Sequence, residues 1–174
     1  ASKTMIDIML TESSVQDPRL PLWFGQTQGY AYGTSEIQYR GVPTGLPASE
    51  LTTPEYAPVN NYCIWGLYVY PEWNQKAKGS VQEGTVPRGT IVKPQTIMNY
   101  AEVCLLKAEA ALRGWAGAGD AKENYIAGIR ASFDEARAGV SASLYSTAAD
   151  DAYINGGDVK WDAAASFETK LKQI

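Results

Sequence analysis

The stretch Gln95-Thr96-Ile97-Met98-Asn99-Tyr100-Ala101-Glu102-Val103-Cys104-Leu105-Leu106-Lys107-Ala108-Glu109-Ala110-Ala111-Leu112-Arg113-Gly114 decides the fold. Apolar side chains at Ile97, Ala101, Cys104 or Leu105, Ala108 and Leu112 recur at steps of three and four, the repeat of one helix face, and Gly114 supplies a stop. The spacing predicts a helix from Gln95 to Arg113. Beyond the loop Trp115 to Gly119, Asp120 is a good N-cap, and Glu123 three residues later completes a capping box. A second helix is predicted to run to about Arg137 and end at Gly139. Its inward positions are Tyr125, Ile129, Ser132, Phe133 and Ala136. The small residues Ala108, Ala111, Gly128 and Ser132 let two helices approach closely, so the pair is expected to form an antiparallel hairpin.

Outward from this hairpin the chain changes character. The hairpin, placed at 94–140, is similar in length and small-residue pattern to a tetratricopeptide-type repeat, and a single copy falls below the roughly three repeats that an independent solenoid needs. Its stacking partners are expected elsewhere. Residues 141–174 read as a polar loop, Ser143 to Val159, followed by a third helix opened by Trp161 and Asp162, with Asp162 or Ser166 as N-cap. That helix stops at Ile174 without Gly or Pro, so the chain is expected to be a piece of a longer protein. Residues 1–93 hold eleven of the nineteen aromatics and eight of the nine prolines, which marks a loop-rich region with few short strands. The run Cys63 to Tyr70, closed by Pro71, is its best strand candidate. Met5, Ile6, Ile8, Met9 and Leu10 predict a short helix before Asp17-Pro18. The fold class expected is mainly α.

Bulk composition removes several function classes. Fifteen Lys and Arg against nineteen Asp and Glu leave a net charge of −4, with no basic stripe for nucleic acid. Histidine is absent, so no Ser-His-Asp or Cys-His chemistry is possible within the chain. Cys63 and Cys104 have no neighbouring Cys or His, which excludes zinc spacing; Cys104 falls on a helix face and reads as a free, buried thiol. No cofactor motif is present, and no window is long and apolar enough for a membrane helix.

Several segments, in order, resemble the SusD/RagB family of nutrient-binding outer-membrane lipoproteins, especially its SusD-like branch. They are Asp17-Pro18-Arg19-Leu20, Tyr39-Arg40-Gly41-Val42-Pro43-Thr44-Gly45-Leu46, Met98-Asn99-Tyr100-Ala101-Glu102-Val103, Ala108-Glu109-Ala110-Ala111 with Gly114-Trp115, Tyr125, Gly128-Ile129-Arg130-Ala131-Ser132, and Ser166-Phe167-Glu168 with Lys170-Leu171. The resemblance implies a larger SusD-like α fold, in which helical hairpins form a scaffold and long loops carry the ligand site. It further implies non-catalytic capture of oligosaccharides, or of peptides, at the cell surface. The expected partner is a SusC-like TonB-dependent transporter, and the membrane is reached only through a lipid anchor that this chain lacks. A helical-repeat adaptor that binds another protein is the alternative.

Sugar rings stack their C–H faces on aromatic rings while their hydroxyls bond to polar side chains. Tyr68, Tyr70, Trp73, Asn74 and Gln75 offer that combination, with Trp73 set between Glu72 and Asn74. Most aromatics in such a region pin loops down, and Trp23 and Trp65, within apolar runs, read as core. Tyr30 and Tyr32, spaced by two, are a second candidate platform. Glu102 and Glu109 share a helix side, but seven residues separate them by about 10 Å, beyond the roughly 5–9.5 Å of glycosidase pairs. Lys107 and Arg113 are their expected ion partners. Asp150, Asp151, Asn155 and Asp158 cluster without EF-hand spacing and read as a solvated loop, not a calcium site.

Overall fold

The computed structural model describes residues 2–24, 39–52, 96–138, 142 and 145–174, and these are mainly helical. The helices are α1 (Lys3–Thr11), α2 (Leu20–Trp23), α3 (Tyr100–Leu112), α4 (Ala121–Arg137), α5 (Asp150–Ile154) and α6 (Phe167–Gln173), with single 3-10 turns at Glu50–Thr52 and Gly157–Val159. Two compact units divide the chain. One takes Ala1–Leu10, Arg19–Pro94 and Gly139–Tyr145; the other takes Thr11–Pro18, Gln95–Ala138 and Ser146–Ile174.

In the first unit α1 forms where the sequence places it. The Ser2 hydroxyl accepts the Met5 amide at 3.2 Å, a cap on the first turn. Ile6 and Met9, three apart, turn inward and meet Leu20, Phe24 and Tyr39 in one buried cluster, with Met5 and Trp23 packed at its edge. Trp23 therefore does belong to a core, as its apolar run implies. The Arg19 guanidinium lies 5.0 Å from the centre of the Trp23 ring, a cation–π contact. A parallel bridge joins Ser2 to Val42, with the Lys3 amide donating to the Val42 carbonyl at 2.8 Å.

The second unit is built on the predicted hairpin, with its first boundary corrected. Helix α3 begins at Tyr100, not Gln95, because the Asn99 side chain accepts the Glu102 amide at 2.7 Å and fixes Asn99 as a non-helical cap. Ile97, expected on the inner face, precedes that cap and is 99% exposed. The far end follows the sequence closely. The Gly114 amide returns to Ala111 and the Trp115 amide to Ala110, both at 3.0 Å, and Gly114 has φ +77°, the paired bonds of a Schellman stop. Asp120 caps α4 by accepting the Glu123 amide at 2.9 Å. The helices run antiparallel: a Cβ placed on Gly128 of α4 would lie 2.9 Å from a Leu105 methyl and 3.3 Å from the Ala101 carbonyl of α3, while Thr96, just before α3, bonds to Glu135 near the end of α4. Gly128 is therefore the point where α4, with no side chain of its own, receives the Leu105 side chain of α3.

The predicted polar loop after the hairpin is a correction. Its later half folds into α5 and the 157–159 turn, and Tyr153, Ile154 and Val159 are buried against Phe133. Two interactions hold it there. Arg137 makes a two-pronged ion pair with Asp150 at 2.7 and 2.6 Å, its guanidinium 5.4 Å from the Phe133 ring centre. The segment Thr11–Pro18 lies against it as a strap: Ser13 donates its hydroxyl to the Tyr153 carbonyl at 2.7 Å, the Asp158 amide donates to the Glu12 carbonyl at 2.8 Å, and the Tyr153 phenol donates to the buried Asp17 carboxylate at 3.1 Å. Helix α6 starts at Phe167 on a Ser166 cap, so of the two caps proposed Ser166 is the helix cap, while Asp162 accepts the Ala164 amide in the preceding turn.

Candidate functional site and its helical frame

The residues that the sequence selects for ligand contact, Trp73, Tyr70, Tyr68, Asn74 and Tyr32, lie outside the described residues, as does the strand candidate Cys63 to Tyr70. What the structure describes is the helical frame and the groups exposed on it.

Several of the side chains that a sequence reading weighs for chemistry are engaged structurally. Glu109 pairs with Arg113 at 2.7 Å, the partner expected. Asp150 is committed to Arg137 and Asp151 to Arg130 at 2.6 Å, while Asn155 turns its amide toward the Asp151 carbonyl at 2.8 Å. These groups make bonds within the fold, and among the described residues no group of three or more Cys, Asp or Glu is arranged to hold a metal ion. Cys104 is a free thiol, 3% exposed on α3. Its side chain, chiefly through a hydrogen bond, raises the pKa of the Tyr100 phenol one turn earlier. Among the described residues no helix is long and apolar enough to cross a membrane.

A row of aromatic and cationic groups runs over the end of the hairpin that carries the glycine turn. Trp161 packs on Tyr125 with ring centres 5.4 Å apart, and Lys170 sits 6.0 Å from the Trp161 ring centre. Arg113 lies 5.7 Å from the centre of Phe167, which is half exposed, and Trp115 projects from the turn 67% exposed. Reading the sequence placed Trp115 in a loop without assigning it a surface role. The signal was present: a large aromatic between Gly114 and Gly117 has no periodic partner to bury it.

Tyr125 is a buried titratable group of this frame whose pKa is shifted. Its phenol donates to the Val159 carbonyl at 2.8 Å, and burial first, then the charge of Glu12, pushes its pKa from 10.0 up to about 12. Well below pH 10 both folded and unfolded phenols are neutral. Between about 10 and 12 the unfolded phenol ionises first, so stability falls as pH rises through that window. A Tyr125→Phe chain is expected to lose about 1 kcal/mol at pH 8, where the Val159 carbonyl loses its donor. Its further loss on going to pH 11 should be smaller than that of the parent. Denaturant titrations at the two pH values check this, and equal alkaline losses in both chains would count against the assignment.

Comparison with known proteins places this frame. Residues 1–174 match the SusD-like_2 family, "Starch-binding associating with outer membrane". A chitin-binding SusD homolog from Flavobacterium johnsoniae is similar over 99% of this chain and 32% of its own length, at 29% identity with a TM-score of 0.60. A SusD-like protein from Bacteroides thetaiotaomicron is similar over 90% of this chain and 30% of its own, at 27% identity and a TM-score of 0.52. A second SusD homolog from that organism shares the fold, with a TM-score of 0.55 at 22% identity. The chain thus spans about a third of the length of these solved structures. No curated protein matches it.

Proposed function

The chain belongs to the SusD-like_2 family of starch-binding proteins associating with the outer membrane, and we propose that it forms part of a cell-surface receptor that captures oligosaccharides for uptake. The match over the whole of residues 1–174 carries this reading. In it the receptor is lipid-anchored and non-catalytic, and passes its ligand to a SusC-like TonB-dependent transporter. The hairpin of α3 and α4 is frame, or faces the transporter, and the aromatic region 1–93 meets the ligand. The sugar class to test first is set by the similar proteins: chitin oligosaccharides and starch-derived maltooligosaccharides, with peptides as the other ligand class.

Within that region we assign the stacking platform to Trp73, flanked by Tyr68, Tyr70 and Asn74, with Tyr32 as a second contact. A Trp face against a pyranose ring contributes on the order of 1 kcal/mol beyond the area it covers. Isothermal titration of the whole receptor against both oligosaccharide series is expected to show saturable heat, with Trp73→Ala weakening the best ligand about tenfold. Flat titrations across both series and a peptide panel would overturn the capture role. Binding unchanged in Trp73→Ala would move the platform elsewhere, and release of reducing ends would replace the non-catalytic reading.

A further inference from the structure

Asn155 closes α5 and is followed by Gly156 and Gly157. Asparagine is thermolabile, most of all before glycine, which leaves the next peptide free to rotate. Base removes the proton from the following amide nitrogen, that nitrogen attacks the side-chain Cγ, the Cγ–Nδ2 bond breaks and ammonia leaves. Water then opens the succinimide ring to aspartate or isoaspartate. We propose that Asn155 is a latent site of this self-modification, and that the Thr11–Pro18 strap holds it unreactive.

The geometry is that of a blocked reaction. Attack requires the peptide between 155 and 156 to swing until its nitrogen faces Cγ. With Asn155 at φ −100°, ψ 8°, the Gly156 amide instead donates back to the Tyr153 carbonyl at 3.3 Å. The side-chain amide is held by its bond to the Asp151 carbonyl. Glycine would ordinarily make the swing easy, but the strap encloses both glycines. A Cβ on Gly156 would lie 2.1 Å from the Ser14 hydroxyl, and one on Gly157 would lie 2.4 Å from the Glu12 carbonyl, with Gly157 at φ +51°. The Asp158 amide ties the turn to Glu12, and Ser13 ties the strap to Tyr153. The peptide turns only when the strap lifts.

Once formed, the product blocks the way back. A carboxylate at 155 replaces the donor to the Asp151 carbonyl by an acceptor, and isoaspartate adds a methylene to a backbone already in contact with Ser13 and Ser14. The modified turn no longer seats the strap, so each opening carries a chance of permanent release.

Trypsin frees the peptide Ala138–Lys160, in which Asn155 is the sole amide side chain, so an amide-to-acid mass gain there reports this residue alone. The full chain is incubated at mildly alkaline pH in native buffer and in guanidinium chloride. Native conversion is expected to be roughly tenfold slower or more, as for any group gated by local opening. Gly157→Ala, which forces the strap away, is expected to bring the native rate close to the denatured one. Equal native and denatured rates in the parent chain overturn the proposal. Should Gly157→Ala not fold, the parent is followed in sub-denaturing guanidinium. A rate that climbs before the global transition supports strap gating, and one that stays flat until that transition overturns it.

Discussion

An Arg137→Ala chain is expected to unfold with a free energy about 3–5 kcal/mol below that of the parent, the cost of leaving one member of a buried ion pair without the other. Both partners are shielded: the Arg137 side chain is 7% exposed and that of Asp150 11%. Asp150 would be left facing apolar groups without its guanidinium, and α5 would lose its tie to the end of α4. Domains hold only about 5–15 kcal/mol in total, so this one change removes a large part of the margin. Urea unfolding followed by circular dichroism measures it, with the double replacement Arg137→Met, Asp150→Leu as the informative control. Removing both charges together is expected to restore most of the loss, since a well-packed apolar pair of similar size avoids the desolvation that the ions require. A midpoint for Arg137→Ala within about 0.5 kcal/mol of the parent, the range of ordinary surface changes, would show that the pair is not a fastener.

Phe133→Ala is expected to cost a similar amount, about 3–5 kcal/mol, through loss of transfer energy and the cavity left behind. Phe133 is 1% exposed, meets Tyr153 edge-on with ring centres 5.7 Å apart, and carries Arg137 over its face. Because the ring and the guanidinium touch, the two losses should not add. The double variant Phe133→Ala, Arg137→Ala is expected to fall short of the sum by about 0.5–3 kcal/mol. Full additivity would mean that the ring and the ion pair act on α5 independently, against the packing described above.

The parts of this fold that could be read from the residues are those where local chemistry and periodicity agree. Asp120 with Glu123, Gly114, the helical face through Ala101, Cys104 and Ala108, and the glycine at 128 all state their roles within a few positions of themselves. The start of α3 is hard to place from the pattern because Ile97 continues the apolar period by coincidence, while the decisive signal, Asn99 set three residues before Glu102, is a cap rather than a stripe. The 143–159 segment reads as a polar loop because its acidic residues dominate the local count. Asp150 is buried by a partner thirteen residues away and Tyr153 by one 136 away. No window along the chain contains that information. The candidate ligand site was legible only as a composition, aromatic rings beside amides among prolines, since glycan recognition depends on loop shapes that local sequence does not encode.

The strap also sets an order of events during synthesis. Thr11–Pro18 is translated well before the residues that seat it: Ser13 donates to a carbonyl 140 positions later. Until Tyr153 and the two glycines emerge, the strap bonds of Glu12 and Ser13 cannot form, while the hairpin of α3 and α4 can form first. Closing so wide a loop is slow compared with local helix formation. The strap is therefore expected to seat after the hairpin, closing a contact between residues 140 positions apart.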